Sequence, residues 1–442
     1  MMSHLTRAVL LGMCLIPATA LAGWEPPETP TFIEYLRASA VSRDVIDQFL
    51  NGPSWAQFDP ELGYRLGNYL PTDGIDGSAT LSTARLDGAR TAFMYLDRPC
   101  RINTYGDSFT QCHQVSDGET WQEYLAAHLG EPIRNFGMGG YGAYQAYRRM
   151  VREEGTDHGA DHLIFYIWGD DHIRSLLRCR HAIIYPRWDH KGGRMFHNNF
   201  WPNLEMDLDS GELVERENFL STPESLYRMC DPEWMVEHLK DDLALQLFAF
   251  KLGFIRDLDR DRTDRLAAIL DYPMDWNDQE NLRAQAGALL DRYAFQATKL
   301  VLEKARAFAE EHGKKLMVVL FDPYQTLDQL RRGEDRYDQE IVDMLKAEGF
   351  TFFDMNEVHL QDFRRSGMDY GDYMKQYFIG HYNPRGNHFF AYSIKDPVVE
   401  WLDPKPITYR KPAPDSIDFQ GYLPIRPDGD ATGTSPTPPQ RP

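Results

Sequence analysis

Residues 101–110 read Arg101-Ile102-Asn103-Thr104-Tyr105-Gly106-Asp107-Ser108-Phe109-Thr110. The first five have strand character, Gly-Asp-Ser follows at once, and the next helical pattern begins only near Glu119. Ser108 is therefore expected in a loop at the carboxyl end of a strand, where open α/β sheets bind their ligands. A turn serine after a strand is common, so its meaning depends on the segments around it.

Working outward, strand and helix signals alternate. Candidate strands are 101–105, 133–135, 162–168, 315–321 and 350–354. A helical pattern over 283–311 carries Leu289, Leu290, Tyr293, Leu300, Leu302 and Phe308 and stops at Gly313; another from about Asp338 stops at Gly349. A last apolar helix runs from Phe389 to Trp401. This alternation predicts a parallel sheet with helices on both faces. The rhythm breaks over about 180–281, where a hairpin-like stretch at Asp207–Gly211 precedes helical patterns. An insertion of that size usually carries specificity or assembly.

The flanks differ in kind. Arg7 precedes an apolar run from Ala8 to Ala22, and Ala20-Leu21-Ala22 leads into Gly23, so 1–22 reads as a cleaved secretory signal. That run is too short to span a bilayer, and no other stretch reaches the roughly 18 apolar residues a spanning helix needs. The expected location is periplasmic or secreted. Residues 23–95 hold one helical pattern (Phe32, Tyr35, Leu36), then Gly/Asp-rich turns and alternating pieces such as Thr80–Ala84, and are expected to form a β-rich attachment. Residues 404–442 contain ten prolines and no apolar period, and are expected to be a disordered tail. Without Cys14, Cys100, Cys112, Cys179 and Cys230 remain, an even set that predicts two disulfides in an exported chain.

The 442 residues are 42% hydrophobic and 26% charged, the balance of a globular chain with a core. Lys and Arg number 47 against 67 Asp and Glu, a net charge of −20, which argues against nucleic acid as a partner.

Three more segments bear on Ser108. Asn135-Phe136-Gly137-Met138-Gly139-Gly140-Tyr141-Gly142 follows the second strand, and such glycine density lets backbone N–H groups approach a ligand. Gly169-Asp170-Asp171-His172 follows the third strand, and Gly380-His381-Tyr382-Asn383-Pro384-Arg385-Gly386-Asn387 precedes the last helix. In this order the four segments resemble the SGNH (GDSL-type) hydrolase superfamily, over roughly residues 96–403. The resemblance implies a flavodoxin-like three-layer α/β/α fold with a five-stranded parallel sheet. It implies Ser108 as nucleophile with its own N–H in the oxyanion hole, Gly140 as the next N–H donor, and His381 as base. His388 competes, but the Asn383 and Gly386 spacing favours His381.

These residue types suit the chemistry. A serine hydroxyl attacks a carbonyl only when a positioned base takes its proton, and a neutral imidazole does this near pH 7. Two positions depart from the family pattern. Asp170 stands where the family carries an oxyanion-binding Asn, and an ionised carboxylate about 4 Å from an oxyanion would repel it by roughly 1 to 4 kcal/mol. Asp170 is therefore either protonated through burial or turned elsewhere. Phe378 occupies the place of the family acid, three residues before His381. Asp372, the nearest upstream carboxylate, is the expected third member, although Asp322 and Asp354 end strands at the same edge; a Ser–His dyad oriented by a backbone carbonyl is the alternative.

No cofactor or metal is expected: His172, His181, His190 and His197, taken with Asp170 and Asp171, match no ligand spacing. Tyr185, Trp188, Phe196 and Trp201 could stack on a sugar, but core packing explains them better. The expected activity is ester hydrolysis or acyl transfer on a small-molecule or glycan ester. The alternative is a binding protein on a degenerate fold of this type.

Overall fold

The segment His162–Ile167 is buried at every position, as a strand covered on both faces must be. The computed structural model describes residues 29–52, 54–180 and 199–410. Its strands are β1 (Ala56–Asp59), β2 (Gly63–Leu66), β3 (Ile102–Tyr105), β4 (Ile133–Asn135), β5 (His162–Ile167), β6 (Asn203–Met206), β7 (Leu213–Arg216), β8 (Lys315–Leu320) and β9 (Phe352–Asp354). Five of them form one sheet in the order β4-β3-β5-β8-β9, parallel throughout. This is the flavodoxin order, and its switch point lies between β3 and β5.

Strand alternation divides the core in two. Leu163, Phe165 and Ile167 of β5, with Val318 and Leu320 of β8, pack on one face against the helices Ala143–Glu154 and Leu282–Glu311. Ile164 and Tyr166, with Met317 and Val319, pack on the other against Trp121–Leu129 and Pro384–Trp401. The result is a three-layer α/β/α fold.

The predicted strands lie within two residues of the observed ones. The last helix begins at Pro384 rather than Phe389, because the Asn383 side chain caps it through Gly386 N–H and proline suits the first turn. Ser108 is not in a loop. It opens a one-turn helix, Ser108–Gln111, capped by Asp107 through Phe109 N–H.

The N-terminal attachment, expected to be β-rich, is mixed. It carries the helices Phe32–Arg37 and Arg43–Asn51 beside the β1–β2 hairpin. The insertion contributes the β6–β7 hairpin and the helices Pro232–Leu239, Leu243–Lys251 and Arg260–Ile269. The two additions meet: Phe32 N–H donates to Asp257 (2.7 Å), Val41 N–H to the Met229 carbonyl (3.0 Å), and Arg37 pairs with Glu233 (2.6 Å). The tail expected from Pro404 is docked as far as Arg410, with Thr408 Oγ1 on the His128 carbonyl (2.6 Å). The signal reading at 1–22, the tail beyond 410, and His181, His190, His197, Tyr185, Trp188 and Phe196 lie outside the described residues.

The expected disulfides are absent, since all four cysteines described are free thiols. Cys112 is in the core on one face of the sheet and Cys179 in the core on the other. Burial pushes the Cys112 thiol up to about 12. Cys100 points at the Ile102 and Pro132 carbonyls instead. No helix among the described residues is long and apolar enough to cross a membrane.

Arg90 joins the attachment to the sheet domain. Its guanidinium is 1% exposed and donates to the Asp117 carboxylate (2.8 Å) and to the carbonyls of Gln111, Cys112 and Val115. Removing a buried charge from such partners costs about 3–5 kcal/mol. We therefore expect Arg90→Met to lose stability in that range in urea unfolding, and a loss below about 1 kcal/mol would contradict the clamp.

Candidate active site

Three strand ends and one distant turn meet above the switch point. Gly106, which leads β3 into the Ser108 turn, has φ +152°, and a Cβ there would lie 2.3 Å from Thr110 Oγ1 and 2.8 Å from the Tyr166 carbonyl. Only glycine lets the turn sit so close to β5. The glycine loop after β4 is tied to this turn: Met138 N–H donates to the Gly106 carbonyl (3.0 Å) and Gly139 N–H to Gln111 Oε1 (2.6 Å). Gly140 follows with φ +83°. Among the described residues neither the Ser108 N–H nor the Gly140 N–H has an acceptor.

His381 comes from a tight turn, in which Phe378 pairs with Tyr382 and Ile379 N–H donates to the His381 carbonyl (2.9 Å). Its Nε2 lies 2.7 Å from Ser108 Oγ, across 273 residues of sequence. Buried His359 bridges the Tyr373 and Tyr382 hydroxyls (2.8 and 2.7 Å) and so braces the residue after His381. Desolvation, then the charges of His113 and Arg174, hold His381 well below the ordinary imidazole value. The imidazole is thus neutral, with a lone pair available.

Behind the ring stands Gln114 rather than an acid. Its Oε1 accepts from His381 N–H (2.8 Å) and faces His381 Nδ1 (3.0 Å). Its amide nitrogen donates to the Asp73 carbonyl (2.9 Å). The Asp73 carboxylate meets His113 Nε2 at 2.8 Å, and the His113 ring lies between those of His381 (4.9 Å) and Trp55 (5.2 Å). The N-terminal attachment therefore supplies part of the site.

Asp372 is displaced from the role of third member. It lies on the solvent side of the helix Tyr370–Tyr377, paired with Lys375 at 3.0 Å. The Phe378 position is taken up by packing on Tyr382 and Phe321. Asp322 accepts from Tyr324 and Gln325 N–H groups, and Asp354 pairs with Arg336; neither bonds to His381. His388 packs against Tyr124 and His128.

Asp170 is turned outward, its side chain 57% exposed and 3.3 Å from Arg174. Burial acts on its neighbours instead. It raises Asp107 to about 6 against the pull of Arg174, and raises Asp171 well above the carboxylate range, with the Asp107 charge adding to the effect. Arg174 pairs with Asp171 (3.1 Å) and lies over the Trp168 ring (4.8 Å), so it is the cation beneath the site. Trp201 is core, edge-on to Tyr64, and buried His172 contacts Thr298 Oγ1 at 2.8 Å. No group of three or more metal-ligating side chains gathers among the described residues.

Sequence reasoning missed Gln114, His113, Asp73 and Arg174. Only the polar run Gln111-Cys112-His113-Gln114 after the serine turn hinted at the first two.

No family model and no curated protein matches the chain. Among solved structures, a member of the lipolytic protein G-D-S-L family from Veillonella parvula DSM 2008 aligns with 67% of this chain and 97% of its own, at 13% identity and a TM-score of 0.31.

Exposed ion pairs contribute little, so Asp372→Asn should change stability by no more than about 0.5 kcal/mol in urea unfolding. A loss above about 2 kcal/mol would contradict its exposed placement.

Proposed function

We propose that this chain is an exported serine esterase of the SGNH/GDSL type, hydrolysing or transferring a small acyl group carried by a carbohydrate. The observation that carries the reading is the 2.7 Å approach of His381 Nε2 to Ser108 Oγ. In the proposed reaction, His381 takes the Ser108 proton as Oγ bonds to the ester carbonyl carbon. The negative charge on the carbonyl oxygen is met by the Ser108 and Gly140 N–H groups, each such donor being worth about 3–4 kcal/mol. His381 then protonates the departing alkoxide as the C–O bond breaks, leaving an acyl group on Ser108. Water or a substrate hydroxyl, deprotonated by the same imidazole, releases it. The outward turn of Asp170 removes the repulsion that a carboxylate in the oxyanion hole would exert.

Export is supported by the pattern at 1–22, and the carbohydrate by net acidity and a 13% aromatic content. Both are properties of the sequence.

The test uses a fluorophosphonate, which bonds only to an activated serine. Wild-type protein should label and Ser108→Ala should not. Ser108→Ala and His381→Ala should each lower aryl acetate turnover by about four to six orders of magnitude while retaining the native circular dichroism spectrum. Folded wild-type protein that resists the reagent would overturn the esterase reading in favour of a binding protein.

A further inference from the structure

We infer that Gln114 is the positioning residue of the Ser108–His381 pair, a neutral amide standing where hydrolases of this chemistry place a carboxylate, and that the N-terminal attachment holds it there through Asp73. The inference rests on the esterase reading for its kinetic consequences, but not for its geometry.

The amide can face only one way. Its oxygen meets two His381 nitrogens, the main-chain N–H at 2.8 Å and Nδ1 at 3.0 Å, while its NH2 meets the Asp73 carbonyl at 2.9 Å. Turning the amide over would set donors against donors on one side and two carbonyl oxygens together on the other. With Oε1 toward the ring, Nδ1 must carry the proton, which leaves the Nε2 lone pair aimed at Ser108 Oγ. The amide thus fixes both the tautomer and the ring plane.

The backbone on both sides is shaped around this contact. Gln114 itself has φ +71°, a region unfavourable for a side-chain-bearing residue. Opposite it, Gly380 has φ +113°, and a Cβ there would lie 2.7 Å from Gln114 Oε1. Arg90 holds the carbonyls of Gln111, Cys112 and Val115, so the loop that presents Gln114 is fixed from beneath.

An amide orients without adding charge. The charged groups facing His381 are His113 and Arg174, which disfavour the imidazolium, while buried Asp107 accepts from Ser108 Oγ (3.4 Å) on the other side of the pair. The Asp73 carboxylate is engaged by His113. With no anion on Nδ1, the base remains neutral into acid, at the cost of a less stabilised imidazolium. A carboxylate at 114 would reverse this: the imidazole would take a proton at higher pH, and the acid limb of activity would move upward.

The experiment substitutes Gln114→Glu and Gln114→Leu in the full chain. In Gln114→Glu, the NMR titration midpoint of the His381 ring should rise by one to three pH units, as expected for an opposite charge within about 4–6 Å. The acid limb of kcat/KM should rise with it. In Gln114→Leu, kcat should fall at least ten-fold with KM within about two-fold, and 15N shifts should report mixed Nδ1–H and Nε2–H tautomers. A folded Gln114→Glu protein with an unmoved His381 midpoint would overturn the proposal, whether or not Gln114→Leu folds. The titration needs no turnover, so loss of the esterase reading through failure to label Ser108 is a separate result.

Discussion

The site depends on one buried guanidinium. Taking Arg90 out of water costs several kcal/mol, and only a full set of acceptors offsets that cost. Asp117 and three carbonyls of the loop after the serine turn provide it, and Thr83 of the attachment completes the Asp117 carboxylate at 2.6 Å. The charge thereby fixes a loop with no regular hydrogen-bond ladder of its own. That loop carries His113 and Gln114, which position the imidazole from behind. A residue far from any substrate atom thus sets the geometry of the pair that would react.

The electrostatics follow from crowding around a second guanidinium. Arg174 faces three carboxyl groups, of which Asp107 and Asp171 are buried and Asp170 reaches solvent. One cation cannot balance two buried anions at short range, so the buried pair is driven toward its protonated form. Asp170 stands outside that buried pair, its side chain 57% exposed. The two adjacent aspartates of the third segment therefore differ in environment far more than in sequence.

What the sequence disclosed divides along the same line. Strands buried on both faces, such as His162–Ile167, announce themselves as apolar runs between turn residues, and the sheet followed from them. Ser108, Gly140 and His381 lie at strand or helix ends, where local pattern predicts position. Gln114 does not, because its partner is 267 residues away and neither residue's neighbours record the contact. Asp372 is close to His381 in sequence, but the helix that carries it turns its carboxylate to solvent. An even number of cysteines carries no information about the sheet, which stands between Cys112 and Cys179. The one-turn helix at Ser108 leaves no trace in the sequence because four residues are too few to show a period.

The contacts between the N-terminal attachment and the insertion bear on how such a chain could arise. Segments separated by some 200 positions share one apolar surface, with Phe32 held by Asp257 and Val41 by Met229. Loss of either would expose oily side chains of the other to water. The two embellishments are therefore bound to a common inheritance: a lineage that discarded one would be driven to shed or rebuild its companion, and a pared-down relative should lack both.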